Sequence, residues 1–160
     1  MKIAVLVKQV PGSESALPIN GSGDWIDESS VTFVMNPPDN YALEEALLIK
    51  EKKGEGEVVI VSMGPPRVQK VIREGLAKGA DRGIHIEEDD QIETDPLLIS
   101  QRFTNVLMEE NFDLILTGLQ SDDAGMGQTG VLVGEMLGLS TATLAIEMNV
   151  LDDKIRIKRE

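Results

Sequence analysis

The sequence predicts a doubly wound α/β fold, a mostly parallel sheet with helices on both faces. Two observations point there. Four short, β-rich apolar runs recur, at Ile3 to Val7, Glu57 to Ser62, Gly83 to Glu87 and Phe112 to Thr117, and each has the length and composition of a strand covered on both faces. Amphipathic helical patterns lie between or after these runs, and parallel neighbours need such crossovers.

Taken in order, the first run ends at Val7 and gives way to a stretch rich in Gly, Ser, Pro and Asp. From Pro11 to Ser30 this reads as a long loop that holds the sole tryptophan, Trp25, with a β-ribbon expected at Asp24 to Asp27. A helix is expected over Tyr41 to Lys52, with Ala42, Leu43, Ala46, Leu47 and Ile49 on one side. Asp39 or Asn40 would cap it, and Pro37-Pro38 would block any earlier start. After the second run, Pro66 to Lys78 carries Val68, Val71, Ile72 and Leu76 on one stripe and stops at Gly79. A third helix, Thr94 to Asn111, begins with a capping Thr94 or Asp95 and Pro96 in its first turn. It is expected to bury Ile99, Phe103, Val106 and Leu107.

The fourth run leads through polar residues into Val131 to Gly138, an apolar helix closed by glycine. The final segments depart from the pattern. Thr141 to Val150 alternates in polarity, and Lys154 to Lys158 repeats the alternation after the turn residues Asp152-Asp153. A chain stopping there would leave a sheet edge unpaired unless something further, or a partner, covers it.

Composition bounds the function classes. The 160 residues suit a single α/β nucleotide-binding domain spanning 1–160. With 28 acidic against 15 basic side chains the net charge is −13, which excludes a nucleic-acid partner requiring clustered Lys and Arg. The absence of cysteine excludes disulfides and thiol chemistry. The first apolar run is too short for a membrane span or signal peptide, so a soluble, cytoplasmic protein without membrane insertion is expected.

In an open α/β sheet, ligands bind beyond the carboxyl ends of the strands, where strand order reverses. That rule nominates Lys8 to Gly12, Asn36-Pro37-Pro38-Asp39, Met63-Gly64-Pro65-Pro66 and Gly118 to Gly130. The last is the richest: Gly118-Leu119-Gln120-Ser121-Asp122-Asp123-Ala124-Gly125-Met126-Gly127-Gln128-Thr129-Gly130. Its glycines admit close approach to the main chain, and free N–H groups at a helix start attract phosphate. Gln128 and Thr129 can donate to a phosphate there, and Asn36 can meet a base or sugar through its amide. Neither of the two common phosphate motifs, G-x-x-x-x-G-K-[ST] or G-x-G-x-x-G, is present. A polar strand-to-helix turn therefore remains an alternative, as does a turn or capping role for Asn36. Asp122-Asp123 lacks a third oxygen ligand at metal-binding spacing, so no metal is expected. His85 lies in an apolar strand and reads as a buried or edge histidine, and no catalytic residues are expected.

Together these loops resemble the β subunit of the electron transfer flavoprotein family. The resemblance runs through Lys8-Gln9-Val10-Pro11, Met35-Asn36-Pro37-Pro38-Asp39-Asn40-Tyr41-Ala42-Leu43-Glu44-Glu45-Ala46 and Val61-Ser62-Met63-Gly64-Pro65. It continues in Gly75-Leu76-Ala77-Lys78-Gly79-Ala80-Asp81-Arg82-Gly83-Ile84-His85, Gly118 to Gly130 and Lys154 to Glu160. It implies an adenine-nucleotide-binding, Rossmann-like domain that holds AMP structurally. The implied contacts are Leu6, Asn36, Pro37, Pro38, Asp39, Met63 and the loop from Gly118 to Thr129. It further implies an α subunit that holds, or shares, the redox FAD, and a complex carrying electrons from flavin dehydrogenases to a quinone oxidoreductase. Such a subunit is an electron carrier and not an enzyme.

Two alternatives accompany that resemblance. Bifurcating relatives place a second FAD where others hold AMP, but they tend to carry Asp-Gly-Asp-Thr-Ala-Gln-Val-Gly in the loop. Here Asp122-Asp123 followed by Gly127-Gln128-Thr129-Gly130 is similar to the Asp-Asp…Asn-Gln-Thr-Gly of AMP-binding members, with Gly127 in place of Asn. A stand-alone nucleotide-binding module of the universal-stress-protein type is the other, although its spaced glycines are lacking. Family members extend past residue 160, with more sheet, a dehydrogenase-docking loop and a C-terminal arm, so the resemblance implies a truncated chain.

Overall fold

The computed structural model describes residues 1–88, 95–152 and 154–160. Its centre is a four-stranded parallel sheet made of β1 (Lys2–Leu6), β4 (Glu57–Gly64), β5 (Arg82–Glu87) and β6 (Leu114–Thr117), in the order β5-β4-β1-β6. β1 pairs Ile3 with Val58 and Leu114, and Leu6 with Val61 and Thr117, so both flanking strands run beside it in step. This is the expected doubly wound α/β arrangement.

Side chains alternate between the two faces of β1 and β4 and build two cores. Ile3, Val5, Val58 and Ile60 face α1 (Pro37–Lys53) and α2 (Gln69–Lys78), where Leu43, Ala46, Ile49, Val71 and Ile72 meet them. Ala4, Leu6, Val59 and Val61 face α3 (Pro96–Glu110) and α4 (Thr129–Met136) through Phe103, Leu107 and Val133. A run apolar on both faces is what a strand sandwiched between helix layers requires.

The helices depart from expectation in detail. α1 begins at Pro37 rather than Tyr41, with Asn36 at the capping position and both prolines in the first turn. Neither Asp39 nor Asn40 caps it. The first residues of a helix have no intrahelical acceptor for their N–H, so proline, which lacks one, starts the helix here instead of blocking it. In α2 the first turn is a 3₁₀ segment at Pro66–Val68. Val68, Val71 and Ile72 are buried, but Leu76 is 37% exposed and Gly75 occupies the inner position against Ile60. In α3, Phe103 and Leu107 are buried together with Ser100 and Thr104. Asp95 caps α3 by accepting from the Leu97 N–H at 2.8 Å; the other suggested cap, Thr94, lies outside the described residues, as does Asp153 of the expected final turn.

Two antiparallel ribbons flank the sheet. β2 (Gln9–Pro11) pairs with β3 (Phe33–Met35), so the segment after β1 opens as a strand before becoming a loop. Within that loop Ile19 and Ile26 form a bridge, and Glu28–Ser30 make a 3₁₀ turn capped by Asp27. The C-terminal segments β7 (Ala145–Val150) and β8 (Ile155–Arg159) pair with each other as a separate two-stranded sheet. Met148 and Val150 pack that hairpin on the core facing α1 and α2.

Candidate functional site

α1 follows β1 on one face, and α4 follows β6 on the other. β1 and β6 are neighbours, so the chain diverges above the gap between them, which is the topological switch point. The segments after β1, before α1, after β4 and after β6 all emerge at this carboxyl edge.

The first turn of α1 ties the edge together. Asp39 is only 6% exposed, and its carboxylate bridges the gap: one oxygen accepts from the Lys8 N–H at 2.7 Å, the other from the Gly118 N–H at 3.1 Å. Burial pushes its pKa up to about 6, against the hydrogen bonds from Lys8, Asn36 and Gly118, which favour the charged form. Asn36 is buried beside it. Its amide donates to the Gln120 carbonyl at 3.0 Å, and its side-chain oxygen accepts from the Asp122 N–H at 3.0 Å. Gly118 must lack a side chain, since a Cβ there would stand 2.3 Å from an Asp39 oxygen and 2.8 Å from Pro38.

The loop after Gly118 is open to solvent, with Leu119, Gln120, Asp122 and the run from Ala124 to Gln128 exposed. Lys8 reaches across to it, donating from Nζ to Asp123 at 2.7 Å and to Ser121 at 3.4 Å. Burial raises the Asp123 pKa, but the Lys8 and Ser121 hydrogen bonds outweigh it and the net shift is downward. Gly125 and Gly127 both adopt φ +62, the left-handed conformation that glycine takes without strain. The loop ends at α4, where Gln128 occupies the capping position without a side-chain cap. The first N–H groups of α4 have no intrahelical acceptor and no side-chain cap.

The sequence-nominated residues are thus brought together unevenly. Asn36, Asp39, Gly118, Gln120, Ser121, Asp122 and Asp123 join in one hydrogen-bonded assembly with Lys8. Pro37 and Pro38 form the helix start beneath it. Leu6 is buried at the end of β1, and Met63 packs at the end of β4 against the same core, facing α3 and α4. Thr129 opens α4, its carbonyl accepting from Ser100 at 3.4 Å.

Sequence reasoning did not single out Lys8 as a contact residue. A signal existed: no Lys or Arg occurs between Arg102 and Lys154, so a cation for the two loop aspartates had to come from elsewhere. A second cluster also went unread. Arg67 stacks on the Phe33 ring at 3.9 Å, pairs with Glu28 at 3.0 Å and donates to Gln9 at 2.7 Å, while Trp25 donates to Glu28 at 3.1 Å. It pins the long loop over a cleft of about 400 Å³ lined by Trp25, Ile26, Glu28, Pro65 and Arg67 among others. His85 sits on the edge strand, its Nε2 2.8 Å from the Gly64 carbonyl, as an edge histidine would. Among the described residues no group of three His, Asp or Glu side chains is arranged to hold a metal, and no helix is long and apolar enough to cross a membrane.

The strand order and the hydrogen-bonded loops define a doubly wound α/β domain with loops gathered at its switch point. Residues 24–160 match the family model described as the electron transfer flavoprotein domain. Across all 160 residues the chain is 38% identical to electron transfer flavoprotein subunit beta of Bradyrhizobium diazoefficiens. It is 34% identical to the proteins of that name from Dictyostelium discoideum and Homo sapiens, with the whole chain aligned in each case. The chain belongs to the electron transfer flavoprotein family. It spans 64%, 63% and 64% of those three relatives respectively.

Proposed function

We propose that this chain is a β-subunit-type component of an electron transfer flavoprotein, and that its switch-point crevice holds AMP as a structural ligand. The carrying observation is the assembly of Lys8, Asn36, Asp39 and the loop from Gly118 into one hydrogen-bonded unit beside the uncapped start of α4. Such an edge offers main-chain N–H groups to a phosphate and amide groups to a base or sugar. Gly125 and Gly127 leave the main chain approachable, and Gln128, Thr129, Met63 and Leu6 border the same edge. The relatives named as subunit beta support the same reading.

In this reading the chain supports an FAD-bearing α subunit in the cytoplasm, and the complex passes electrons from flavin dehydrogenases to a quinone oxidoreductase. FAD supplies the one- and two-electron chemistry when bound. The residues of this chain bind and orient: Lys8 offers a positive charge, the α4 start offers donors, and Asp39 with Asn36 holds the main chain that surrounds them. The crevice presents amides, hydroxyls and carboxylates, which position a ligand and do not transform it.

The test is mass spectrometry of whatever the natively purified protein releases on denaturation. One AMP per chain is expected. A stoichiometric flavin would replace this reading with a subunit carrying its own FAD, and retained ATP would favour a stand-alone nucleotide-binding module.

A further inference from the structure

We propose that Asp39 is a positioning residue of this crevice, whose carboxylate sets the spacing between the β1 and β6 loops and does not itself contact the ligand. The inference rests on the nucleotide reading of the crevice but concerns how the crevice is built. Both carboxylate oxygens are turned inward, one to the Lys8 N–H at 2.7 Å and one to the Gly118 N–H at 3.1 Å. With 6% of its surface exposed, little of Asp39 remains to meet a ligand.

The two donors come from the segments leaving the two neighbouring strands on either side of the switch point. A ligand spanning that gap needs both at a fixed separation, because misplacement by a fraction of an ångström weakens every hydrogen bond made across it. A carboxylate suits this role for a definite reason. It accepts at both oxygens, whereas an amide of the same shape accepts at one and presents a donor at the other. Asn36 extends the hold along the loop to Gln120 and Asp122, and Lys8 extends it to Asp123. The crevice is therefore set by contacts within the protein before any ligand arrives.

Asp39→Asn tests this on the full chain, with amide hydrogen exchange and AMP dissociation as paired readouts. At least one of the Lys8 and Gly118 amides should exchange about tenfold faster, and AMP should dissociate about tenfold faster, as expected for one lost charge-assisted hydrogen bond. Two amides as protected as in the wild type overturn the proposal, and so does unchanged AMP dissociation alongside lost protection. Gly118→Ala is the second variant, because its Cβ would stand 2.3 Å from the Asp39 oxygen and break the same bridge. Combining the two should raise the dissociation rate no more than about threefold beyond the more severe single variant, since contacting residues are not additive. Fully multiplicative effects overturn the proposal. A wild-type chain that binds no AMP overturns the nucleotide reading instead, while exchange at Lys8 and Gly118 still decides whether Asp39 sets the spacing.

Discussion

Asp39→Asn should stabilise the fold at neutral pH even as it loosens the crevice. The wild-type carboxyl rises from 3.8 to about 6 on folding, first because burial disfavours its charge. That difference is worth about 3 kcal/mol, at roughly 1.4 kcal/mol per pH unit. Because the folded pKa is the higher one, the penalty is absent below about pH 4, grows as pH rises through about 6, and is fully present above it. Asn carries no such penalty and, like the protonated carboxyl, accepts at one oxygen and presents a donor at the other. The variant should therefore be more stable than the wild type by about 3 kcal/mol at pH 8, and about as stable as the wild type at pH 4. Urea denaturation of both proteins at pH 4, 6 and 8 measures this directly. A stability difference that does not change with pH, or that moves the other way, would falsify the account of Asp39 as a charge held at a cost.

Other perturbations reach other parts of the molecule. Gly127→Asn should leave stability within about 0.5 kcal/mol, because Asn tolerates the left-handed conformation that Gly127 adopts at φ +62; calorimetry should show several-fold tighter AMP binding from the added amide. Lys8→Met removes the partly exposed pair with Asp123 and should cost under about 1 kcal/mol of stability, yet weaken AMP binding and flatten its salt dependence in titrations. Arg67→Met removes the contacts to Phe33, Glu28 and Gln9, so limited proteolysis within residues 12–32 should quicken while the melting temperature moves little. Glu110, held down to about 2 by its hydrogen bonds to Arg82 and Lys2, adds stability that is present above about pH 4.5 and lost as pH falls towards 2. Glu110→Gln should accordingly lower the melting temperature at pH 7, with the gap to wild type closing in acid.

The central sheet was legible because Ile3 to Val7 and Val58 to Val61 are apolar on consecutive positions, which leaves little choice but a strand covered on both sides. The carboxyl-edge rule then nominated loops that the fold does gather at one edge, without any knowledge of their contacts. What stayed hidden depends on partners distant in the chain. Asp39 looked like a helix cap because capping is the local use of a carboxylate, whereas its partners are Lys8 and Gly118. The start of α1 was misplaced because proline both blocks a preceding turn and begins a new one. β2 and β3 are three residues each, too short for periodicity to register, and only their mutual pairing defines them. Lys8 carried no local mark of its role, since its acidic partner lies 115 positions away.

The contact between Asp39 and Gly118 also bears on how such a domain can be rebuilt. An oxygen of one occupies the place where a side chain on the other would begin. A graft that brings in the first forty residues of a relative, or the β6 loop alone, transfers half of a matched pair. Chimeras should therefore tolerate exchange at this edge when both halves come from one parent, and fail when they come from two parents whose residues at positions 39 and 118 do not fit. The unit of exchange is the pair.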